Sequence, residues 1–149
     1  MFKQEIMVCL EQKKILLTHI LNITKQIEVR CKEEEVALEH LLEQRKSFMD
    51  RVTLCNHMIQ NHLCDIPTEQ RLRIELILDG KIAEADCDAD ELPALKLVNE
   101  NAALFQTAAE LDKSANEAIR KQYAETRDKL KELRHTGKGN EVFFHTTVN

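Results

Sequence analysis

The feature that most constrains this chain is a helical apolar pattern that runs through most of its length with very few helix-breaking residues. No proline or glycine occurs between Phe2 and His62, and Pro93 is the only one between Glu91 and Arg134. A proline at the start of a helix is tolerated, because the N–H that it lacks has no partner within the helix there. The chain is therefore expected to fold as long helices that bury one face against each other.

The first helix is predicted over Phe2–Arg30, where apolar residues alternate at spacings of three and four. This spacing is typical of helices that pack nearly parallel to their neighbours. One seven-residue row contains Ile6, Lys13, Ile20 and Ile27, and the row beside it contains Cys9, Leu16 and Ile23. Leu10, Leu17 and Leu21 widen the stripe, which indicates that this helix contacts two neighbours.

A second helix is predicted over Glu34–His62 by two similar rows, Leu38, Arg45, Val52, Ile59 and Leu41, Phe48, Cys55. Nothing in Arg30-Cys31-Lys32 breaks a helix, so a single continuous helix through this stretch is an alternative. Pro67 marks a clear break, after which a shorter helix is expected over Glu69–Ala85.

The last helix is predicted over Glu91–Arg134, with Asp90 as its capping residue. Gly137 and Gly139 follow it and indicate a linker. We thus expect an all-α fold, an antiparallel bundle of three to four long helices over residues 1–135. Residues 136–149, which include Val142-Phe143-Phe144, are expected to form a flexible tail. The predicted core contains Leu16, Ile20, Ile23, Leu41, Phe48, Val52, Val98 and Phe105.

Composition argues against several classes of function. The net charge of −5 argues against nucleic acid as the main partner, since phosphate backbones attract basic surfaces. No apolar run is long enough to span a bilayer, and the N-terminus lacks the apolar segment of a signal peptide. The five cysteines are widely spaced and odd in number, which favours reduced thiols and a cytoplasmic location.

Two groups of residues resemble metal sites without meeting their requirements. Asp86, Asp88 and Asp90 imitate the start of a calcium loop, but Glu91 stands where that loop needs glycine. Cys55, His57, His62 and Cys64 point in different directions around one helix and do not converge on a zinc ion. The sequence also has no phosphate-binding loop and no nucleophile motif. We expect no cofactor, no metal and no enzymatic activity.

The second half of the last helix carries a sparse apolar stripe. It consists of Ile119, Tyr123, Leu130 and Leu133, and Ala115 precedes it. These residues either complete the bundle or extend beyond a shorter core and offer an amphipathic surface to a partner helix. The last helix is much longer than the third, which favours the second interpretation. The predicted partner-binding residues are Ile119, Tyr123, Leu130 and Leu133, with Lys121, Arg127 and Lys129 as a polar border.

Two segments resemble a known family. The segment Leu38-x-x-Leu-Leu-x-x-Arg-x-x-Phe-Met-x-x-Val52 is similar to the Leu-Leu-x-x-Arg-x-x-Leu-Ile stretch of bacterial flagellar export chaperones of the FliT and FlgN type. Leu95-Lys-Leu-Val-Asn-Glu-Asn101, followed by a polar helix that ends in Lys129-Leu-Lys-Glu-Leu-Arg134, is similar to their final helix and its basic end. The resemblance covers roughly residues 2–135 and consists of diffuse helical patterns.

This resemblance implies a cytoplasmic chaperone that holds a late flagellar subunit, a filament-cap or hook-associated protein, and delivers it to the export apparatus. The alternative is a structural or adaptor bundle without a flagellar role, one form of which is an obligate homodimer in which a second copy covers the stripe. The two differ in whether the stripe is exposed before a partner is added.

Overall fold

The protein is helical throughout the part of the chain that the structure describes. A computed structural model describes residues 2–33 and 38–136, with side chains up to Arg134. The helices are α1 (Gln4–Arg30), α2 (Glu39–Cys64), α3 (Thr68–Leu78) and α4 (Leu92–Thr136), and a short 3-10 turn, Glu84–Asp86, precedes α4. No strand occurs in these ranges, which confirms the prediction of an all-α bundle. None of the described helices is both long enough and apolar enough to cross a bilayer.

Helix α1 lies between α2 and α4 and packs along both of them. Leu10, near the start of α1, belongs to the same core cluster as Leu63 at the end of α2. Ile27, near the end of α1, clusters with Leu41 at the start of α2, so these two helices run antiparallel. The wide apolar stripe of α1 thus contacts two neighbours, as its sequence predicts.

Helix α4 runs in the same direction as α1. The Asn101 side-chain amide donates a hydrogen bond of 3.1 Å to the Leu10 carbonyl, and farther along α4 Ala115 joins the cluster that contains Ile27. Asn101 is buried, and its amide therefore ties the two helices together within the core. Helix α2 is consequently antiparallel to both α1 and α4.

The first two helices are separate, which rules out the single continuous helix. Helix α1 ends at Arg30, and the next residue, Cys31, is completely buried in a cluster that also contains Leu38. Because α2 runs antiparallel to α1, the two cannot form one continuous helix.

Helix α3 is shorter than predicted and ends at Leu78 instead of Ala85. Gly80 has a φ of 67°, and the Lys81 N–H donates to the Leu76 carbonyl at 2.9 Å. A left-handed glycine with this hydrogen bond ends a helix by satisfying its last carbonyl groups. The prediction missed this because it treated Gly80 as a weak position inside the helix.

Most of the predicted core is confirmed, with one clear error. Leu16, Ile20, Ile23 and Leu41 are buried, and Phe48, Val52 and Val98 are partly buried against the core clusters. Phe105 is 63% exposed, so its assignment to the core was wrong. Its ring lies on the side of α4 that faces the gap between α2 and α4, where none of the described helices covers it. Leu95, near the start of α4, is completely buried and holds this helix to the core more firmly than Phe105 does.

The loop before α4 is held by the buried carboxylate of Glu91. Arg73 donates from Nε and Nη2 to the two carboxylate oxygens at 3.0 Å each, and the Asp88 N–H donates to Oε1 at 2.9 Å. These bonds lower the pKa of Glu91, the one from Arg73 most strongly. Helix α4 begins at Leu92, and the Asp90 carboxylate just before it accepts a hydrogen bond from the Phe2 N–H at 3.2 Å.

Two substitutions in α4 test these helix faces. We expect Leu95→Ala to lower the free energy of unfolding by about 2–5 kcal/mol, because it opens a cavity in a closed cluster. Phe105→Ala should cost less than about 1 kcal/mol, because water already reaches most of the ring. Urea denaturation followed by circular dichroism measures both, and equal losses would show that the orientation of α4 is different.

A third substitution, Glu91→Gln, tests the pH dependence of stability. We expect a loss of about 1.5–3 kcal/mol at neutral pH, since the charged hydrogen bonds from Arg73 are weakened. Because the pKa of Glu91 is lowered on folding, its contribution is fully present above its ordinary value of 4.5 and is lost as the pH falls below it. Urea titrations of both proteins at a series of pH values should therefore converge in acid. A difference that stays constant down to the acid transition would contradict this assignment.

Candidate functional site

The end of α4 extends beyond the core clusters formed by the described residues of the other helices. Ala118 is the last residue of α4 that packs against a core cluster of described residues, whereas the helix continues to Thr136. Residues 119–136, here called the overhang, therefore project by about 27 Å at 1.5 Å per residue. The stripe residues thus lie beyond the last position of α4 that packs against a core cluster of described residues.

Four large apolar side chains of the overhang are exposed to solvent on one side of the helix. Ile119 is 37% exposed, Tyr123 71%, Leu130 52% and Leu133 63%. Their spacings of four, seven and three residues bring them to the same side of an α-helix. We call these four residues the apolar stripe.

The three basic residues predicted as a border are placed differently around α4. At 3.6 residues per turn, Arg127 and Lys129 flank the apolar stripe on its two sides, while Lys121 points from the opposite side of the helix. All three are exposed. The structure therefore groups Arg127 and Lys129 with the stripe and separates Lys121 from it.

The overhang is basic, although the protein as a whole is acidic. Between residues 119 and 134 there are six basic and three acidic side chains, a net charge of +3. The remainder of the chain has fifteen basic and twenty-three acidic side chains, a net charge of −8. The apolar stripe thus lies in a locally positive surface, which favours acidic partners.

A second surface lies between α2 and α4, which both pack on α1 but approach each other little in the described residues. The result is an open cleft with a volume of about 650 Å³. Its floor is formed by Leu10, Lys13 and Leu17 of α1, its walls by Val52 and Ile59 of α2 and by Val98 and Phe105 of α4. The end of α3 at Asp79 and Gly80 closes it on one side.

An ion pair connects α2 and α4 beyond the other end of the cleft. The Arg45 guanidinium donates to Asp112 Oδ1 at 2.7 Å, and the Arg45 side chain is only 17% exposed. Its Nη1 also lies 3.5 Å from Thr24 Oγ1 on α1. A positive charge within an apolar row of α2 is thus neutralised by a carboxylate of α4.

Lys13 is, like Arg45, a cation within an apolar row, but no described carboxylate pairs with it. It belongs to the apolar row of Ile6 and Ile20, is half-buried, and lines the cleft. It forms no hydrogen bond or ion pair with any residue that the structure describes. Burial lowers its pKa, with a smaller opposing effect from Cys55. An ammonium group is therefore partly desolvated without a neighbouring carboxylate from residues 2–33 or 38–134.

The cysteines are spread over α1, α2, the residue directly after α1 and the loop before α4. All five are free thiols, and Cys9, Cys31 and Cys55 are buried. Burial raises the pKa values of Cys9 and Cys31, which keeps both in the less reactive thiol form. Within residues 2–33 and 38–136, no group of three or more His, Cys, Asp or Glu side chains is placed to hold a metal ion.

Comparison with known proteins gives no relative from which a role could be transferred. No protein-family model, no curated protein and no solved structure matches this chain.

The apolar stripe is recognisable from the spacing of residues in the sequence, whereas the cleft is not. The signals were present, because Lys13 and Arg45 are cations within otherwise apolar rows. Such a residue is expected to have a carboxylate partner or to border a solvent-filled space. Without the relative positions of α1, α2 and α4, the sequence does not distinguish these two outcomes.

The ion pair between Arg45 and Asp112 gives a direct test of the packing beside the cleft. We expect Asp112→Asn to cost about 1–3 kcal/mol, because the partly buried guanidinium loses its charged acceptor. In an Arg45→Met background the same substitution should cost clearly less, since no guanidinium then needs a partner. Denaturation of the four proteins in this double-mutant cycle measures the coupling, and a coupling near zero would mean that the pair does not join the helices in solution.

Proposed function

We propose that this protein is a non-enzymatic chaperone or adaptor that captures an amphipathic segment of another protein on its overhang. The observation that carries the proposal is the exposure of Ile119, Tyr123 and Leu130 on the part of α4 that extends past the described core clusters. Exposed apolar side chains grouped on one helix face are typical of helix-recognition surfaces. Tyr123 suits such a surface, since its ring buries apolar area while its hydroxyl group stays in water.

The resemblance to flagellar export chaperones gives this proposal a specific form. In that form the client is a late flagellar subunit, a filament-cap or hook-associated protein, held in the cytoplasm before delivery to the export apparatus. The family resemblance is the support for the flagellar client, and the exposed surface is the support for the binding role.

The charge of the overhang restricts the kind of segment that fits. A helix laid against the apolar stripe would contact Arg127 on one side and Lys129 on the other. Acidic residues on both borders of the client helix would pair with these cations, and leucine or phenylalanine on its central face would cover the stripe. We therefore propose an acidic amphipathic helix as the client segment.

The runner-up is an obligate homodimer in which a second copy covers the stripe. Self-pairing of two overhangs would bring together two segments that each carry a net charge of +3. Like charges across an interface weaken it, which favours a different, acidic partner. Sedimentation analysis distinguishes the two, because a dimer that loses its association when the stripe is mutated would support the runner-up.

The test uses the double variant Ile119→Glu with Leu130→Glu. We expect it to fold with the stability of the natural protein, because both side chains are outside the core. It should bind a purified filament-cap or hook-associated subunit at least about ten-fold more weakly, a loss of about 1.4 kcal/mol or more. Circular dichroism and isothermal titration calorimetry measure these two properties.

The matched control for this experiment is Lys121→Glu. It changes the net charge by the same amount as the double variant, but on the opposite side of α4. We expect it to keep most of the affinity. If the double variant unfolds, the stripe belongs to the core; if it folds and binds the subunit at full affinity, the overhang is not the binding site.

A further inference from the structure

We propose that the cleft between α2 and α4 is a second docking site, which binds a short helical segment of a partner protein with a carboxylate on its apolar face. The cleft is separate from the overhang. Phe105 and Ile119 are fourteen residues apart on α4, which corresponds to about 21 Å along the helix. The ion pair between Arg45 and Asp112 lies between the two surfaces.

The size and shape of the cleft fit a helix. Along α2 its lining extends from Val52 to Gln60, which is about 12 Å or a little more than two helical turns. Helices α1, α2 and α4 occupy three positions of a bundle, and the cleft is the open side between two of them. A helix placed there would complete a local four-helix arrangement at ordinary interaxial distances of about 8–10 Å.

The walls of the cleft provide the apolar part of the recognition. Val52 and Val98 are partly buried, Ile59 is buried beside them, and the Phe105 ring stands at the rim with 63% of its area exposed. An exposed aromatic side chain beside a partly filled apolar cleft is a suitable anchor for a partner. Side-chain amides of Asn56, Gln60 and Asn99 line the same cleft and offer hydrogen bonds to the polar border of a bound helix.

Lys13 determines the charge of the occupant. Arg45, the other cation in an apolar row, has the Asp112 carboxylate at 2.7 Å, whereas Lys13 has no acidic partner among the described residues. A carboxylate brought in by the partner would give Lys13 the same kind of ion pair, in surroundings that the partner would further desolvate. The lowered pKa of Lys13 agrees with an ammonium group that lacks this compensation.

A second copy of this chain is the less suitable occupant. Outside residues 119–134 the protein has a net charge of −8, so two bundles placed side by side would repel each other. A short helical segment supplies one carboxylate at Lys13 without bringing the remaining charge of a whole bundle.

The experiment uses the full chain and two synthetic peptides. Both peptides are stapled amphipathic helices of about four turns, identical except for one residue at the centre of a leucine face, which is glutamate in one and glutamine in the other. We expect the natural protein to bind the glutamate peptide at least about five-fold more tightly, measured by fluorescence anisotropy. In NMR titrations the amide shifts should concentrate around Lys13, Val98 and Phe105.

Variants assign this preference to the cleft. Lys13→Met should bind both peptides equally, while Lys14→Met, the neighbouring lysine that pairs with Glu100 on the surface, should keep the preference. Phe105→Ala removes an exposed ring outside the core and should weaken the binding of both peptides. The double variant Ile119→Glu with Leu130→Glu should bind the peptides as the natural protein does.

Several results would overturn the proposal. These are no binding of either peptide, equal binding of both by the natural protein, or a preference that survives in Lys13→Met. Loss of peptide binding in the overhang double variant would place the peptide on the overhang instead, which would support the proposed function and reject the cleft. Tighter binding of decanoate than of the glutamate peptide would identify a site for small amphiphiles and also reject a helix. Binding of a client by the overhang is tested separately, by the capture experiment described above, and its outcome does not depend on the result for the cleft.

Discussion

The burial of α1 on two sides is the constraint on which the remaining structure depends. Its apolar stripe is too wide to be covered by one neighbour, so α2 and α4 pack on different parts of it. Because both helices are fixed to α1, they do not have to meet each other, and the gap between them becomes the cleft. The chain thus gains a closed core around one helix and an open side next to it.

Helix length explains the second exposed surface. Helix α1 ends at Arg30, and α2 begins at Glu39 next to that end. The packing of both helices in the cluster that contains Ala115 of α4 therefore ends at nearly the same level along α4. Helix α4 continues to Thr136, and its sequence becomes less apolar and more basic beyond this level. The change in composition and the end of packing coincide, which is the physical basis for treating the overhang as a surface that faces solvent or a partner.

Periodicity predicted the parts of the fold that depend on local pattern. The two-sided contacts of α1 and the buried positions of Leu16 and Leu41 follow from spacing along the chain, whereas the spacing left the separation of α1 from α2 open. The end of α3 was missed because it depends on the left-handed backbone of Gly80, and the wider pattern around this residue still looks helical. Local hydrogen bonds of this kind carry little signal in an apolar pattern.

Phe105 and Lys13 show that a single sequence does not predict which apolar rows are covered by a neighbouring helix. Phe105 was assigned to the core because it continues an apolar row, yet that row faces a gap between helices. Lys13 interrupts an apolar row and lines the same gap. Whether an apolar position is covered depends on the distance between two helices that are far apart in sequence, and a single sequence does not contain this distance. The apolar stripe was easier to find, since the length of one helix was enough to suggest it.

The parallel direction of α1 and α4 also has a consequence for how the chain folds. Contacts between α1 and α2 join residues close in sequence, such as Arg45 and Thr24, which are 21 positions apart. Contacts between α1 and α4 join distant residues, such as Asn101 and Leu10, which are 91 positions apart. Closing the longer loop costs more entropy, so the α1–α2 hairpin is expected to form first and α4 to dock later. Until most of the chain has left the ribosome, the side of α1 that contacts α4 remains exposed, and the nascent protein is itself vulnerable to aggregation.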